Sequence, residues 1–496
     1  MVSTLGFASL NKRWQTAIID ENMKIMEWIV LMKKKAKWII AAAILAVLVL
    51  ALGQQEETFE SKNERNGADI SDSYEQFPEE AEQENDTDTT EDMLKKNALE
   101  EYTNAININP NDSISYISRG VVYHELNEYE KALKDYTCAI ELNPKSASAY
   151  YNRGNSYYEL KEYEKAMGDY ARAIELNPEC VLAYNNRGNT YYELKEYEKA
   201  MGDYARAIEL NPEHTEAYVN QGNIYYALRD YEKAMGEYTK AIELDPKYAL
   251  AYYNRGFLYY ESKKYEKSIE DYTKAIELDP EYALAYNSRG ISYNILNKYE
   301  KAIEDYTKAI ELDPEYVSPY NNRGISYDEL KNYEMSLEDY TKAIELDPEN
   351  ATPYYNRGNT YYELKEYEKA IRDCTKAIEL DPEYVAPYHN RGISYYKLKN
   401  YEMSIEDYTK AIELDPEYAT PYYNRGNTYY ELKEYEKAIR DYTKVIELNP
   451  EYAAVYDSRG DVYNAIGENE KAKEDYKKAA DLDPSQFNDY KPPLVF

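Results

Sequence analysis

Along residues 147–180 the apolar side chains return in two stripes separated by a short break. Tyr150, Gly154, Tyr157 and Tyr158 fall at i, i+4, i+7 and i+8, which is one face of a helix. Tyr163, Ala166, Met167, Tyr170, Ala173 and Ile174 follow at i, i+3, i+4, i+7, i+10 and i+11, the face of a second. Asn177-Pro178 halts the second stripe, because proline excludes helical geometry from the residue before it. Gly154 and Ala166 are small enough for the two helices to approach closely, and Lys165, Asp169 and Arg172 are expected on the solvated face of the second.

The pattern repeats without a slip. Proline recurs every 34 residues from Pro110 to Pro484, each time after Asn or Asp, and glycine keeps the same interval from Gly120 to Gly460. Such a fixed period marks a repeat architecture whose units cover one another's apolar faces. Pro319, Pro353, Pro387 and Pro421 stand in the first turn of a first helix, where a missing N–H costs little. YYNRGNTYYELKEYEKAIRD occurs at 354–373 and again at 422–441, so the array has grown by copying.

Tyr150, Gly154, Tyr157, Ala166, Tyr170, Ala173 and Pro178 reproduce the pattern of the tetratricopeptide repeat family, which the chain resembles over residues 93–486. The resemblance implies an all-α fold, a right-handed superhelical solenoid of helix-turn-helix units. The array is expected over 91–484, with a half unit at 91–112, eleven complete units from about 113 and a tail at 485–496. The last helix, in NEKAKEDYKKAADLDP, is polar outward, as a terminal cap requires.

The sequence departs from the family where an aliphatic residue usually precedes the glycine. Arg119, Arg153, Arg187, Arg255, Arg289, Arg323, Arg357, Arg391, Arg425 and Arg459 stand there, with Gln221 the exception. Sixteen residues after each comes Asp, except Glu237 in the unit of Gln221. This points to an Arg–Asp pair inside each hairpin, such as Arg153 with Asp169; the alternative is an arginine row that reads acidic ligands.

Away from the packed face of each first helix lie Asn152, Asn155 and Glu159. The first position recurs as Asn186, Asn220, Asn254, Asn322, Asn356, Asn390 and Asn424, with Ser118, Ser288 and Ser458 in the other units. The second recurs as Asn189, Asn223, Asn359 and Asn427. The resemblance implies that first helices line a concave groove, and a row of amides there offers donors and acceptors to an extended peptide backbone whatever its side chains. A hydrated polar face that binds nothing is the plainer alternative. The expected function is a protein-interaction scaffold. A second candidate is a chaperone or assembly factor for an envelope polysaccharide or secretion machine, with Tyr151, Tyr355 and Tyr423 offering rings to sugars. An enzyme has no support: His124, His214 and His389 are isolated, there is no phosphate loop or nucleophile motif, and no cofactor or metal is expected.

Charge narrows the partners. The net charge of −34 disfavours nucleic acid, because the cations that neutralise phosphates are missing. Fifteen acids from Glu56 to Asp92 against Lys62 and Arg65 leave residues 54–90 as an extended, self-repelling linker. Cys138, Cys180 and Cys374 have neither metal spacing nor an even count, and no disulfide framework is expected.

Ahead of that linker, residues 38–52 read WIIAAAILAVLVLAL, preceded by Lys33, Lys34, Lys35 and Lys37. Fifteen residues at about 1.5 Å each fall short of the ~30 Å hydrocarbon core, so a transmembrane anchor and the core of a signal peptide over 38–53 both stand. Residues 1–37 are either a cytoplasmic leader or, with Met32 as the start, misassigned in part. In either case the lysines stay in the cytoplasm and the repeats lie across the membrane, or are exported after cleavage at Gly53.

Overall fold

The computed structural model describes residues 87–487; the apolar run at 38–52, most of the linker and the tail from residue 488 lie outside the described residues. Among the described residues the chain is all α-helix, in eleven hairpins from Ser113 to Leu482. First helices span thirteen residues, such as Ala147–Glu159, and second helices fourteen, such as Tyr163–Leu176.

Each hairpin is punctuated by local chemistry. The first helix ends in a Schellman turn, in which Lys161 N–H bonds the Tyr158 carbonyl and Glu162 N–H the Tyr157 carbonyl, both at 2.8 Å. That turn needs a left-handed residue, and Lys161 supplies it at φ 59°; Gly467 holds the same place in the last unit at φ 80°. The second helix ends at the Asn/Asp-Pro pair. There Asn177 Oδ1 accepts from Glu179 N–H at 3.2 Å, an Asx turn that explains why every proline follows Asn or Asp.

Within a hairpin, Ala149, Ala166 and Ala173 are fully buried and Tyr170 is buried with them. A Cβ on Gly154 would stand 2.8 Å from the Tyr170 ring, so only glycine fits without displacing it. Cys374 replaces the ring in one unit, and a Cβ on Gly358 would stand 3.2 Å from its sulfur. Each second helix then packs on the first helix of the next unit, and successive first helices touch as well. The first helices therefore form the inner side of the stack.

Two boundaries differ from the sequence reading. The first described helix, Thr87–Ile108, begins inside the expected linker and is longer than any second helix of a complete unit. At the other end Pro484–Phe487 forms one more short helix, and Phe487 packs on the last core cluster beside Leu482. The stacked body thus reaches residue 487, beyond the expected limit at 484.

Candidate functional site

The arginine row is internal. Arg153 Nε and Nη2 donate to the two carboxylate oxygens of Asp169 at 2.7 and 2.8 Å, and the same fork-to-fork pair recurs in ten hairpins. The arginine side chains are 15–20% exposed and the aspartates 3–12%. Asp169 is therefore buried, a correction to its expected place on the solvated face. Burial pushes the Asp305, Asp339 and Asp407 carboxyls up even though an arginine opposes each, the usual cost of taking a charge out of water. The guanidinium of Arg153 also stands over the Tyr150 ring at 5.6 Å. With these partners in place the row offers little to an acidic ligand.

Sequence reasoning missed one member of this cluster. Arg153 Nη1 donates to Thr137 Oγ1 at 3.2 Å, and Thr137 belongs to the second helix of the preceding unit. Arg289–Thr273, Arg323–Thr307 and Arg425–Thr409 repeat the bond. The signal was available, since the threonine stands sixteen residues before its arginine as the aspartate stands sixteen after.

The asparagines are brought together on the inner side, as neighbours across each seam. Asn186 Nδ2 donates to Asn155 Oδ1 at 3.0 Å and to the Tyr151 hydroxyl at 3.1 Å. Asn220 reaches Asn185 and Asn189 at 3.1 and 2.9 Å. Asn390 reaches Asn359 and the Tyr355 hydroxyl. The acceptors always lie 31 or 35 residues back. Where one of these positions is apolar a single bond remains: Asn254 to Asn223, Asn322 to Asn287, Asn356 to Asn321 and Asn424 to His389. Asn152 has Val121 and Ile117 at those positions, and no such bond forms. The first asparagine row is thus a set of struts between units.

The second row is held differently. Tyr170 donates its hydroxyl to Asn155 Oδ1 at 2.9 Å, Tyr204 to Asn189 at 2.8 Å, Tyr238 to Asn223 at 2.8 Å and Tyr442 to Asn427 at 2.7 Å. These bonds turn each amide so that its oxygen faces the core. Among the described residues no acceptor takes the Nδ2 hydrogens of Asn189, Asn223 or Asn427, while those of Asn155 and Asn359 lean toward the Tyr151 and Tyr355 hydroxyls. All five side chains are half-buried.

Repeat models describing a tetratricopeptide repeat match residues 147–214, 249–316, 351–384 and 419–452, with further matches at 101–134, 305–338 and 453–486. A model described as a TPR repeat matches 120–161, 222–263, 326–365 and 394–433. The chain belongs to the tetratricopeptide repeat family. Similar solved structures include the APC/C hetero-tetramer Cut9–Hcn1, 17% identical over 80% of this chain and 92% of that one, with a TM-score of 0.42. MamA is 26% identical over 33% of this chain and 96% of its own, with a TM-score of 0.32. YrrB, described as a TPR protein with an unusual peptide-binding site, is 32% identical over 37% and 95%, with a TM-score of 0.30. A comparison with curated proteins finds no match.

The tetratricopeptide framework also accounts for the histidines and the tyrosines proposed for sugars. His389 is buried among the struts, and burial holds its imidazole down at about 4. His124 Nδ1 meets Ser156 Oγ across a seam at 2.9 Å. Tyr151 packs on Tyr170, Tyr355 on Tyr384, and Tyr423 on both Tyr442 and Tyr452. Rings packed in this way have little face left for a sugar. Among the described residues no helix is long and apolar enough to cross a membrane.

Proposed function

We propose that this protein-interaction scaffold holds extended segments of its partners along the inner side of the stack, with Asn155, Asn189, Asn223, Asn359 and Asn427 presenting amide hydrogens to backbone carbonyls. The observation that carries the reading is the orientation of the second row. Four of its oxygens are fixed by tyrosine hydroxyls and that of Asn359, whose unit has Cys374 in place of the tyrosine, accepts from Asn390, so the remaining capacity of each amide is as a donor. At a net ~0.5–1.5 kcal/mol per bond, several such contacts offset part of the cost of association and act irrespective of sequence. The first row, Asn152 excepted, contributes by fixing the spacing of the donors.

Capture of an immobilised library of unstructured peptides tests this. The triple variant Asn189→Ala, Asn223→Ala, Asn427→Ala is expected to weaken capture while leaving helicity unchanged; unaltered capture would remove the reading. Attachment to or export across a membrane through residues 38–52 is a separate proposal resting on that apolar run. Carbonate extraction of membranes from the native host tests it: full release of an uncleaved chain rules the anchor out.

A further inference from the structure

Two polar ties close the seams between units. The strut joins first helix to first helix, and the Arg–Thr bond joins a first helix to the preceding second helix. The second tie is missing at two consecutive seams. Ala171 stands sixteen residues before Arg187, where Thr137 serves Arg153, and Arg187 donates to Asp203 in its own hairpin. At the next seam Ala205 faces Gln221, so both threonine and arginine are gone. Glu237 then sits in the place of the paired aspartate with Gln221 where its arginine would stand, and burial pushes its carboxyl up. The packing of Tyr197–Leu210 on Thr215–Ala227 is also the least extensive contact of any second helix with the following unit.

At the same two seams the inner struts are doubled, through Asn186 to Asn155 and Tyr151 and through Asn220 to Asn185 and Asn189. The asymmetry has a direction. The first helices are tied more firmly than at the single-strut seams, as they are again at Asn390, and the second-helix side lacks the Arg–Thr bond. Apolar packing is not negligible there, since Ala200, Tyr204, Ala207, Ala217 and Ile224 form one buried cluster. It lacks, however, the Arg–Thr bonds that help fix the angle between units, and dispersion contacts tolerate small rotations better than directional hydrogen bonds do.

We propose that residues 171–237 form a compliant joint, at which the array flexes by opening its second-helix side about the doubled inner struts. Flexing there changes the curvature of the inner face over Asn155, Asn189 and Asn223 and leaves the later units rigid. The inference stands on the seam geometry and does not depend on what the inner face binds.

Hydrogen exchange on the full chain without a partner tests it. Amides in Tyr197–Leu210 and Thr215–Ala227 are expected to exchange about tenfold faster than those in the matching helices Tyr299–Leu312 and Val317–Glu329. Installing the tie with Ala171→Thr, Ala205→Thr, Gln221→Arg and Glu237→Asp is expected to remove the difference. Removing it elsewhere with Thr307→Ala is expected to speed exchange at the 283–316 and 317–350 seam. Exchange at 197–227 as slow as in the later units, or left fast by the installed tie, overturns the joint; so does a Thr307→Ala chain with unchanged exchange, which also covers the case in which the fourfold variant fails to fold.

Discussion

His389 Nε2 accepts the Nδ2 hydrogen of Asn424 at 2.9 Å, which makes an imidazole the strut acceptor in one seam. Its Nδ1 meets Asn390 Oδ1 at 3.1 Å, so a neutral ring protonated on Nδ1 satisfies both neighbours. Burial lowers the folded value from 6.5 to about 4. A depressed base gives stability that is complete above pH 6.5 and is lost as pH falls toward 4, on the order of 3 kcal/mol in all. His389→Asn keeps an acceptor of the kind Asn287 and Asn321 supply. Its unfolding midpoint is expected to fall less than that of the parent between pH 7.5 and 5; parallel pH profiles would count against a buried neutral ring.

Struts make the asparagines unequal. Asn390 bonds two acceptors in the preceding unit, whereas Asn152 has the apolar Val121 and Ile117 at the acceptor positions. Asn390→Ala is expected to cost about 1–2 kcal/mol and Asn152→Ala close to nothing. Urea midpoints of the two variants measured side by side check this, and equal losses would show that the row has no role between units.

Glycines divide in the same way. Gly154→Ala places a Cβ 2.8 Å from the Tyr170 ring and is expected to cost about 1–3 kcal/mol. Gly168 lies mid-helix in open space, so Gly168→Ala is expected to stabilise by about 0.5–1 kcal/mol. Gly358→Ala faces Cys374 in place of a ring and should fall between them. Thermal unfolding of the three proteins tests the order.

Lys331 occupies the left-handed position of its turn at φ 59°, although glycine is the residue that adopts this region without cost. Lys331→Gly is expected to gain about 0.5–1 kcal/mol, visible as slower amide exchange at the ends of the two helices it joins. A loss would mean that the lysine side chain makes a contact worth more than the backbone relief.

The period, the hairpins and the Arg–Asp pairs were legible in the sequence because each follows from spacing within one unit. Asp169 needed both of its clues, since a helical wheel alone places it outward while its coupling to Arg153 draws it in. The asparagine row was legible as a row, but its amides are used across a seam, at offsets of 31 and 35 that acquire meaning only once units stack. The left-handed lysines were missed even though Asn127, Asn297 and Gly467, residues that favour that geometry, mark the same position in other units. The helix starting at Thr87 escaped because its acidic first turns have the composition of a linker.

The strut rule also governs how such a gene can change in length. A strut needs a polar acceptor one unit back, so an in-frame gain or loss of sequence is silent at the junction only if donor and acceptor still match. The identical stretches at 354–373 and 422–441 lie two units apart. An unequal crossover between them removes or adds 68 residues and brings Asn390 or its counterpart Ser458 against Tyr355 and Asn359 or against Tyr423 and Asn427, the same pair of residues in either case. Slippage by two units is therefore one route by which this array can lengthen or shorten and still close.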